Sequence, residues 1–114
     1  TDPFAPKVVR AGMGAHFRLP ILQLPWEGIS SLTQGLKVFH ADMDGAESCW
    51  KADFRSPLAL LIGGEAAGIS PEGRRLVTSS VRIPMRGQTE SLNAGVSASV
   101  LMLEVMRQRQ QDQA

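Results

Sequence analysis

An unbroken apolar run from Leu58 to Ile62 leads directly into a glycine-rich turn at residues 63–68. A strand that is apolar on both faces predicts a central strand of a largely parallel sheet, covered on both sides. Ligands of open α/β sheets bind beyond the carboxyl ends of the strands, so a strand that ends in glycines is a candidate ligand site. The turn lacks the Gly-Lys-Ser/Thr of a phosphate loop and the spacing of a dinucleotide fingerprint. On spacing alone, a tight strand-to-helix turn is the first interpretation and a nucleoside site the second.

The remaining sequence alternates short apolar runs with stretches of helical periodicity, a pattern typical of α/β proteins. Helix starts are marked by Pro25 and by Ser70-Pro71-Glu72, in which a serine cap precedes a proline and an acid. We expect strands at residues 36–41, 58–62 and 81–84, helices at 6–11, 25–32, 70 onward and 91–108, and a short extended piece at 16–20.

The final helix is apolar on more than one side. A helix of this kind is either a central core helix, which is the simpler interpretation, or a helix shared between a core and a dimer interface. Small residues in its first half would let a second backbone approach closely. Its two apolar stripes are Leu92, Val96, Val100 and Leu103, and next to them Ala94, Ala98, Leu101 and Val105.

Composition narrows the class of protein. The chain has 114 residues, which suits one domain spanning residues 1–114. Its formal charge of +1 does not by itself indicate a nucleic-acid-binding surface. A single cysteine, Cys49, excludes an internal disulfide and fits a reducing compartment. No apolar run approaches the roughly 18 residues of a membrane span. The chain begins at Thr1 without an initiator methionine, and we expect a segment to precede it.

Two motifs in the last third of the chain carry a family resemblance. The turn has the form G-x-E-x-x-G through Gly63, Glu65 and Gly68, and residues 83–93 contain Ile-Pro-Met, a polar loop and Ser-Leu-Asn. In this order they resemble the second and third motifs of the SpoU (TrmH) branch of the SPOUT RNA methyltransferases. The resemblance implies an α/β knot, in which a parallel sheet is flanked by helices and closed by a deep C-terminal trefoil knot. It also implies methyl transfer from S-adenosylmethionine to a ribose 2′-hydroxyl of rRNA or tRNA, with S-adenosylhomocysteine as the product.

The resemblance assigns expected roles to individual residues. Ser91 is equally well explained as a helix cap, and exposed arginines are usually solvated surface, so both interpretations stay open for them. The implied catalytic residues are Glu65, Ser91 and Asn93. The implied cofactor-binding residues are Ala41, Gly63, Gly64, Gly68, Ile83, Met85, Ser91 and Leu92, and the implied RNA-binding residues are Arg10, His16 and Arg18.

The first motif of the family, which contains the arginine assigned to proton removal, has no counterpart in this sequence. We therefore expect an N-terminally truncated domain that supplies the cofactor-binding knot and turns over little or not at all by itself. The alternative is a non-catalytic, SPOUT-like dimeric scaffold that binds RNA. The resemblance implies a homodimer in the bacterial cytoplasm, with the mitochondrial matrix as the other location.

Neither a metal nor a membrane is an expected partner. His40, Asp42 and Asp44 share one face of a strand and could hold a metal, but a strand that ends in a polar turn is the preferred interpretation. Trp26 and Trp50 are expected to pack within the protein rather than to stack on bases.

Overall fold

The computed structural model describes residues 2–15, 18–63, 69–85 and 93–112, which form one parallel sheet and four helices. This arrangement confirms the predicted α/β class with a parallel sheet. The elements are α1 (Pro6–Ala11), α2 (Trp26–Leu32), β1 (Lys37–Ala41), β2 (Glu47–Ser48), β3 (Leu58–Leu61), α3 (Pro71–Leu76), β4 (Ser79–Arg82) and α4 (Ala94–Asp112).

The strand order in the sheet is β2-β4-β1-β3, and every pairing is parallel. β1 therefore has a strand on either side, whereas β3 pairs with β1 and lies at an edge of the described sheet. The expectation that β3 is central is wrong in this respect, and all four of its residues are half-buried. An apolar pattern on both faces of a strand indicates that other elements pack on those faces. It does not indicate that the strand has a hydrogen-bonded partner strand at each of its two edges.

β4 lies between β1 and β2, and the chain joining those two strands passes over it. Ala41 and Glu47 both pair with Val81, from opposite sides, so residues 42–46 form a bridge across β4, which we call the arch. Adjacent parallel strands usually need a crossover of about a dozen residues or more. The arch is shorter because β2 begins at the height where β1 ends, and the chain does not return along the sheet.

Backbone contacts fix the arch against β4. Asp42 N donates to the Val81 carbonyl at 2.9 Å, and Arg82 Nη1 donates to the Gly45 carbonyl at 3.0 Å. A Cβ at Gly45 would lie 2.5 Å from the Val81 carbonyl carbon, so this close approach requires glycine. Residues 64–68 and 86–92 lie outside the described residues, and the trefoil knot stays a prediction.

The helix starts agree with the sequence signals. Pro6 stands at the first turn of α1, and Ser70 caps α3 by accepting a hydrogen bond from Gly73 N at 3.2 Å. Pro25 occupies the cap position of α2. The extended piece expected at residues 16–20 is wrong where the structure describes it. Arg18 N and Leu19 N donate to the Ala15 carbonyl at 3.0 and 2.9 Å, which makes a turn after α1.

The core lies between the sheet and α4. Phe39 of β1 and Phe54 meet edge to face, with ring centroids 4.9 Å apart and planes at 88°, a favoured aromatic geometry. Leu101 of α4 is fully buried against this cluster. Cys49 is also fully buried, and burial raises the pKa of its thiol, which keeps the thiol protonated and unreactive.

Polar side chains near the end of α4 hold the turn that precedes β3. Gln108 bridges two backbone groups, since its Oε1 accepts from Phe54 N at 2.8 Å and its Nε2 donates to the Ala52 carbonyl at 2.9 Å. The same Nε2 lies 2.9 Å from Oε2 of Glu104, a buried carboxylate that also pairs with Arg107 at 2.7 Å. A buried charge is tolerated when it is paired and hydrogen-bonded in this way. We call these contacts the α4 clamp.

The opposite face of α4 is apolar and exposed. Leu101 and Val105 pack in the core, as one predicted stripe requires, and Ala98 is half-buried, whereas Ala94 of the same stripe is exposed. Val96 and Leu103, from the other stripe, are exposed together with Met102 and Met106. The helix is thus a core helix with a second apolar face, and what covers that face stays a prediction.

Candidate functional site

The carboxyl ends of β1, β3 and β4 meet at one edge of the sheet because the strands are parallel. β1 ends at Ala41, β3 is followed by Gly63, and β4 is followed by Ile83 and Met85. β1 lies between the other two strands, so its end lies between theirs. The structure therefore brings these four residues, all predicted to bind cofactor, to the same edge. Ala41, Gly63 and Ile83 are half-buried there, and Met85 is 40% exposed.

Several predicted site residues lie outside the described residues, so their roles stay predictions. They fall in the two segments that follow β3 and β4. They are Gly64, Glu65 and Gly68 in the first segment and Ser91 and Leu92 in the second.

Asn93 caps the amino end of α4. Its Oδ1 accepts a hydrogen bond from Gly95 N at 2.8 Å, and its carbonyl accepts one from Ser97 N at 2.9 Å. The helix therefore begins at Ala94, three residues later than the sequence predicts. Asparagine is among the strongest caps because its side-chain oxygen satisfies an amide at the helix start. A catalytic role of Asn93 would therefore come in addition to its structural role as the cap of α4.

The segment after β1 is a polar turn, as preferred from the sequence. Asp42 Oδ1 accepts from Asp44 N at 2.9 Å, and Gly45 N donates to the Asp42 carbonyl at 2.9 Å. Within residues 2–15, 18–63, 69–85 and 93–112, no three His, Cys, Asp or Glu side chains are grouped so that they could hold a metal ion.

The predicted RNA-binding residues lie on the N-terminal segment rather than at the strand ends. Arg10 is exposed in the last turn of α1, and Arg18 is exposed in the turn that follows. His16 lies outside the described residues. Between the two arginines, Met13 adopts a left-handed backbone conformation with φ of 50°, which is uncommon for a residue other than glycine.

The side chains of Trp26 and Trp50 differ in how far they are packed against the rest of the protein. Trp26 packs on α3 so closely that its Cη2 would lie 3.1 Å from a Cβ at Gly73, which confirms the expectation of a packing role. Trp50, two residues beyond β2, is 52% exposed, so the expected packing is wrong for it among the described residues, and whether it stacks on bases is not tested by this exposure. The available sequence signal was its place in Cys49-Trp50-Lys51, a tryptophan next to a charged residue in a polar stretch.

The model of the SpoU rRNA methylase family matches residues 1–103 of the chain. An uncharacterized tRNA/rRNA methyltransferase of Synechocystis sp. is 34% identical over 113 residues, which cover 95% of this chain and 40% of that protein. The 23S rRNA (uridine(2479)-2′-O)-methyltransferase of Streptomyces viridochromogenes is 35% identical over 116 residues, again 95% of this chain and 40% of that protein.

Solved structures agree with the sequence comparison. The SpoU methyltransferase AviRb from Streptomyces viridochromogenes, in complex with AdoMet, matches with a TM-score of 0.86 and 35% identity, covering 96% of this chain and 46% of that one. The chain thus spans less than half the length of these relatives. No helix in the described part of the chain is long and apolar enough to cross a membrane. The family model covers most of the chain and the fold agrees with it, so the chain belongs to the SpoU rRNA methylase family.

Proposed function

We propose that this chain supplies the S-adenosylmethionine site of an enzyme that methylates a ribose 2′-hydroxyl of rRNA or tRNA. The observation that carries the proposal is the meeting of Ala41, Gly63 and Met85 at one edge of a parallel sheet, in a fold similar to that of an AdoMet-bound SpoU methyltransferase. The matched relatives are more than twice as long as this chain. Methyl transfer is therefore proposed for the whole protein, and the cofactor site for this chain.

The residues at this edge suit a nucleoside that carries an amino acid. Glycines at 63, 64 and 68 would let backbone amides approach the ligand, as they do at the ends of strands in other α/β sheets. Ile83 and Met85 present apolar surface that suits an adenine ring and a methionine chain. In this proposal Ala41 contributes its backbone, while Ser91 and Leu92 complete the pocket from the segment before α4.

When bound, S-adenosylmethionine would supply an electrophilic methyl group to the ribose 2′-oxygen and leave as S-adenosylhomocysteine. The 2′-hydroxyl proton would be removed with the help of the first-motif arginine that the family resemblance implies, which has no counterpart among these residues. The contribution of the protein is mainly to hold the two reactants in line, a proximity effect. We assign that positioning to Glu65, Ser91 and Asn93. Asn93 is suited to it because it caps α4 and so fixes where the preceding segment meets the helix.

RNA is the proposed substrate, contacted by Arg10, His16 and Arg18. The ribose 2′-oxygen is favoured as the acceptor because the Streptomyces relative is a 2′-O-methyltransferase of 23S rRNA. We place the protein in the cytoplasm of a bacterium because the relatives from Synechocystis and Streptomyces are bacterial. The mitochondrial matrix is the alternative location.

We also propose that the enzyme is a homodimer built on the exposed face of α4. Val96, Met102, Leu103 and Met106 form this face. Leu103 is 64% exposed, and an apolar face rimmed by polar residues is typical of an interface between proteins.

Calorimetric titration of the chain with S-adenosylhomocysteine tests the cofactor site. We expect saturable binding that is lost in Gly63→Val, in which an isopropyl group occupies the proposed pocket. Circular dichroism of the variant checks that the fold is retained. If wild type and variant bind alike, the ligand is not at this edge. RNA binding without any cofactor binding by the full-length protein would favour the non-catalytic scaffold.

Variants of Asn93 separate its two roles. In the full-length protein, Asn93→Ala should lower transfer of labelled methyl groups to mixed rRNA and tRNA by about tenfold or more, which corresponds to about 1.4 kcal/mol. Asn93→Asp retains the capping oxygen and places a negative charge at the helix start, which keeps α4 stable. If Asn93→Asp restores methylation, the residue acts only as a cap, and if it stays impaired, the side-chain amide takes part in the reaction.

A further inference from the structure

The indole of Trp50 is displayed on a rigid backbone. The backbone N–H of Trp50 donates to Ser48 Oγ at 3.2 Å, and the backbone N–H of the preceding Cys49 donates to the Arg82 carbonyl at 2.9 Å. Cys49 is fully buried, whereas Trp50, the next residue, is 52% exposed. The backbone N–H of Lys51 also donates to the Ser48 carbonyl, at 3.0 Å, so the backbone is anchored before and after an exposed aromatic ring. A ring presented in this way loses little conformational freedom when a ligand binds it.

Trp50 follows the strand next to β4, whose end leads to two of the residues proposed to hold the cofactor. β2 pairs with β4, and Trp50 follows β2 just as Ile83 to Met85 follow β4. The hydrogen bond from Cys49 N to the Arg82 carbonyl places the backbone next to Trp50 alongside the end of β4, which leads to Ile83 and Met85. Met43, on the arch that joins β1 to β2, is 60% exposed and adds apolar surface at the same edge.

The exposed charged residues of the segment that carries Trp50 are of both signs and so do not make a basic groove. Lys51 is exposed next to Trp50, but Asp44 and Glu47 are exposed on the arch and on β2. A surface of mixed sign does not attract a run of phosphates as a basic groove does. An aromatic ring, by contrast, stacks on any base, and each stack contributes about 1–3 kcal/mol.

From these observations we propose that Trp50 stacks on a nucleobase of the RNA substrate, at or next to the methylated nucleotide. The proposal rests on the proposed function, since it takes RNA as the ligand of this edge. Stacking by Trp50 would give the chain a contact with the base itself, in addition to the residues proposed to hold the ribose and the cofactor.

Fluorescence and binding on the full-length protein test the proposal. The probes are a short oligouridylate and an abasic oligoribonucleotide of equal length, which has the same phosphates without bases. Stacking should quench indole emission with oligouridylate and not with the abasic probe, and the quenching should be absent in Trp50→Phe. Trp50→Ala should weaken oligouridylate binding about 5- to 150-fold, the equivalent of 1–3 kcal/mol, and Trp50→Phe should recover most of the affinity.

Several results would overturn the proposal. They are equal affinity of Trp50→Ala and wild type, equal quenching by the abasic probe, and an indole already shielded from iodide before RNA is added. Calorimetry with S-adenosylhomocysteine should give the same affinity in wild type and in Trp50→Ala, and loss of that binding would also count against stacking because it would make Trp50 structural. Failure of the proposed function is distinct, since wild-type protein would then bind neither S-adenosylhomocysteine nor RNA.

Discussion

Replacing Gly45 with alanine should destabilise the fold strongly, because the new methyl group would meet backbone and not a side chain that can rotate away. It would lie 2.5 Å from the Val81 carbonyl carbon, 2.8 Å from the Val81 oxygen and 2.8 Å from Arg82 N. Ordinary contact begins at 3.4 Å, so the arch must lift from β4 by 0.9 Å. The 2.9 Å hydrogen bond from Asp42 N to the Val81 carbonyl joins two backbone groups, so this shift would lengthen and weaken it.

The magnitude follows from two costs. Overpacking of a tight site costs about 1–3 kcal/mol, and each hydrogen bond lost between the arch and β4 costs about 0.5–1.5 kcal/mol. We expect a loss of about 3 kcal/mol, a large part of a typical stability of about 5–15 kcal/mol. With a urea m-value of about 1.5 kcal/mol/M, the unfolding midpoint should fall by about 2 M.

Urea titration followed by circular dichroism measures this change, and Gly28→Ala is the matched control. At Gly28, in α2, the nearest atom to a new Cβ is the Leu24 Cβ at 3.5 Å, an ordinary contact. Alanine is also the better helix former, so the control should gain up to about 0.5–1 kcal/mol. A free energy of unfolding for Gly45→Ala within about 0.5 kcal/mol of the wild-type value would refute the claim that the arch rests on backbone contact.

Three further outcomes are expected. Gln108→Ala leaves two backbone groups of the turn before β3 without their partner, and should cost about 2–4 kcal/mol in a urea titration; an unchanged midpoint would mean that water replaces the clamp. The hydrogen bond from Arg107 lowers the pKa of Glu104 below its usual 4.5, so the unfolded chain takes up this proton first. Stability should therefore be complete above about pH 4.5 and fall as the pH drops through the folded pKa, with a smaller slope in Glu104→Gln. Leu103→Asp should convert a dimer to a monomer in sedimentation experiments while exposed Gln111→Asp does not, and a monomeric wild type would contradict the proposed interface.

Local features of the fold were predictable from the sequence. The strands at Lys37–Ala41 and Leu58–Leu61 and the cap at Ser70 fall where hydrophobic runs and capping residues place them. These features depend on residues a few positions apart, so a single segment contains the information. The positions of the described cofactor residues could be predicted for the same reason, because each of them lies at or just beyond the end of a strand.

The features of the fold that the sequence did not predict are contacts between segments far apart in the chain. Gln108 bonds to Phe54 N across 54 residues, and no spacing within α4 distinguishes it from its glutamine neighbours. The edge position of β3 depends on which strands find one another, which the side-chain pattern of one strand does not specify. The exposure of Trp50 depends on which distant segments pack over it, and the neighbouring charge of Lys51 was its one local sign in the sequence.

The arch also sets an order of events during synthesis. In the described sheet β2 pairs with β4 alone, and the contact between Ala46 and Ser80 joins residues 34 positions apart. At about 5–20 residues per second, the ribosome needs roughly 2–7 s to make the partner after the arch itself has been made. Residues 42–48 lack their partner strand through that interval, so β2 cannot join the sheet until β4 has been made.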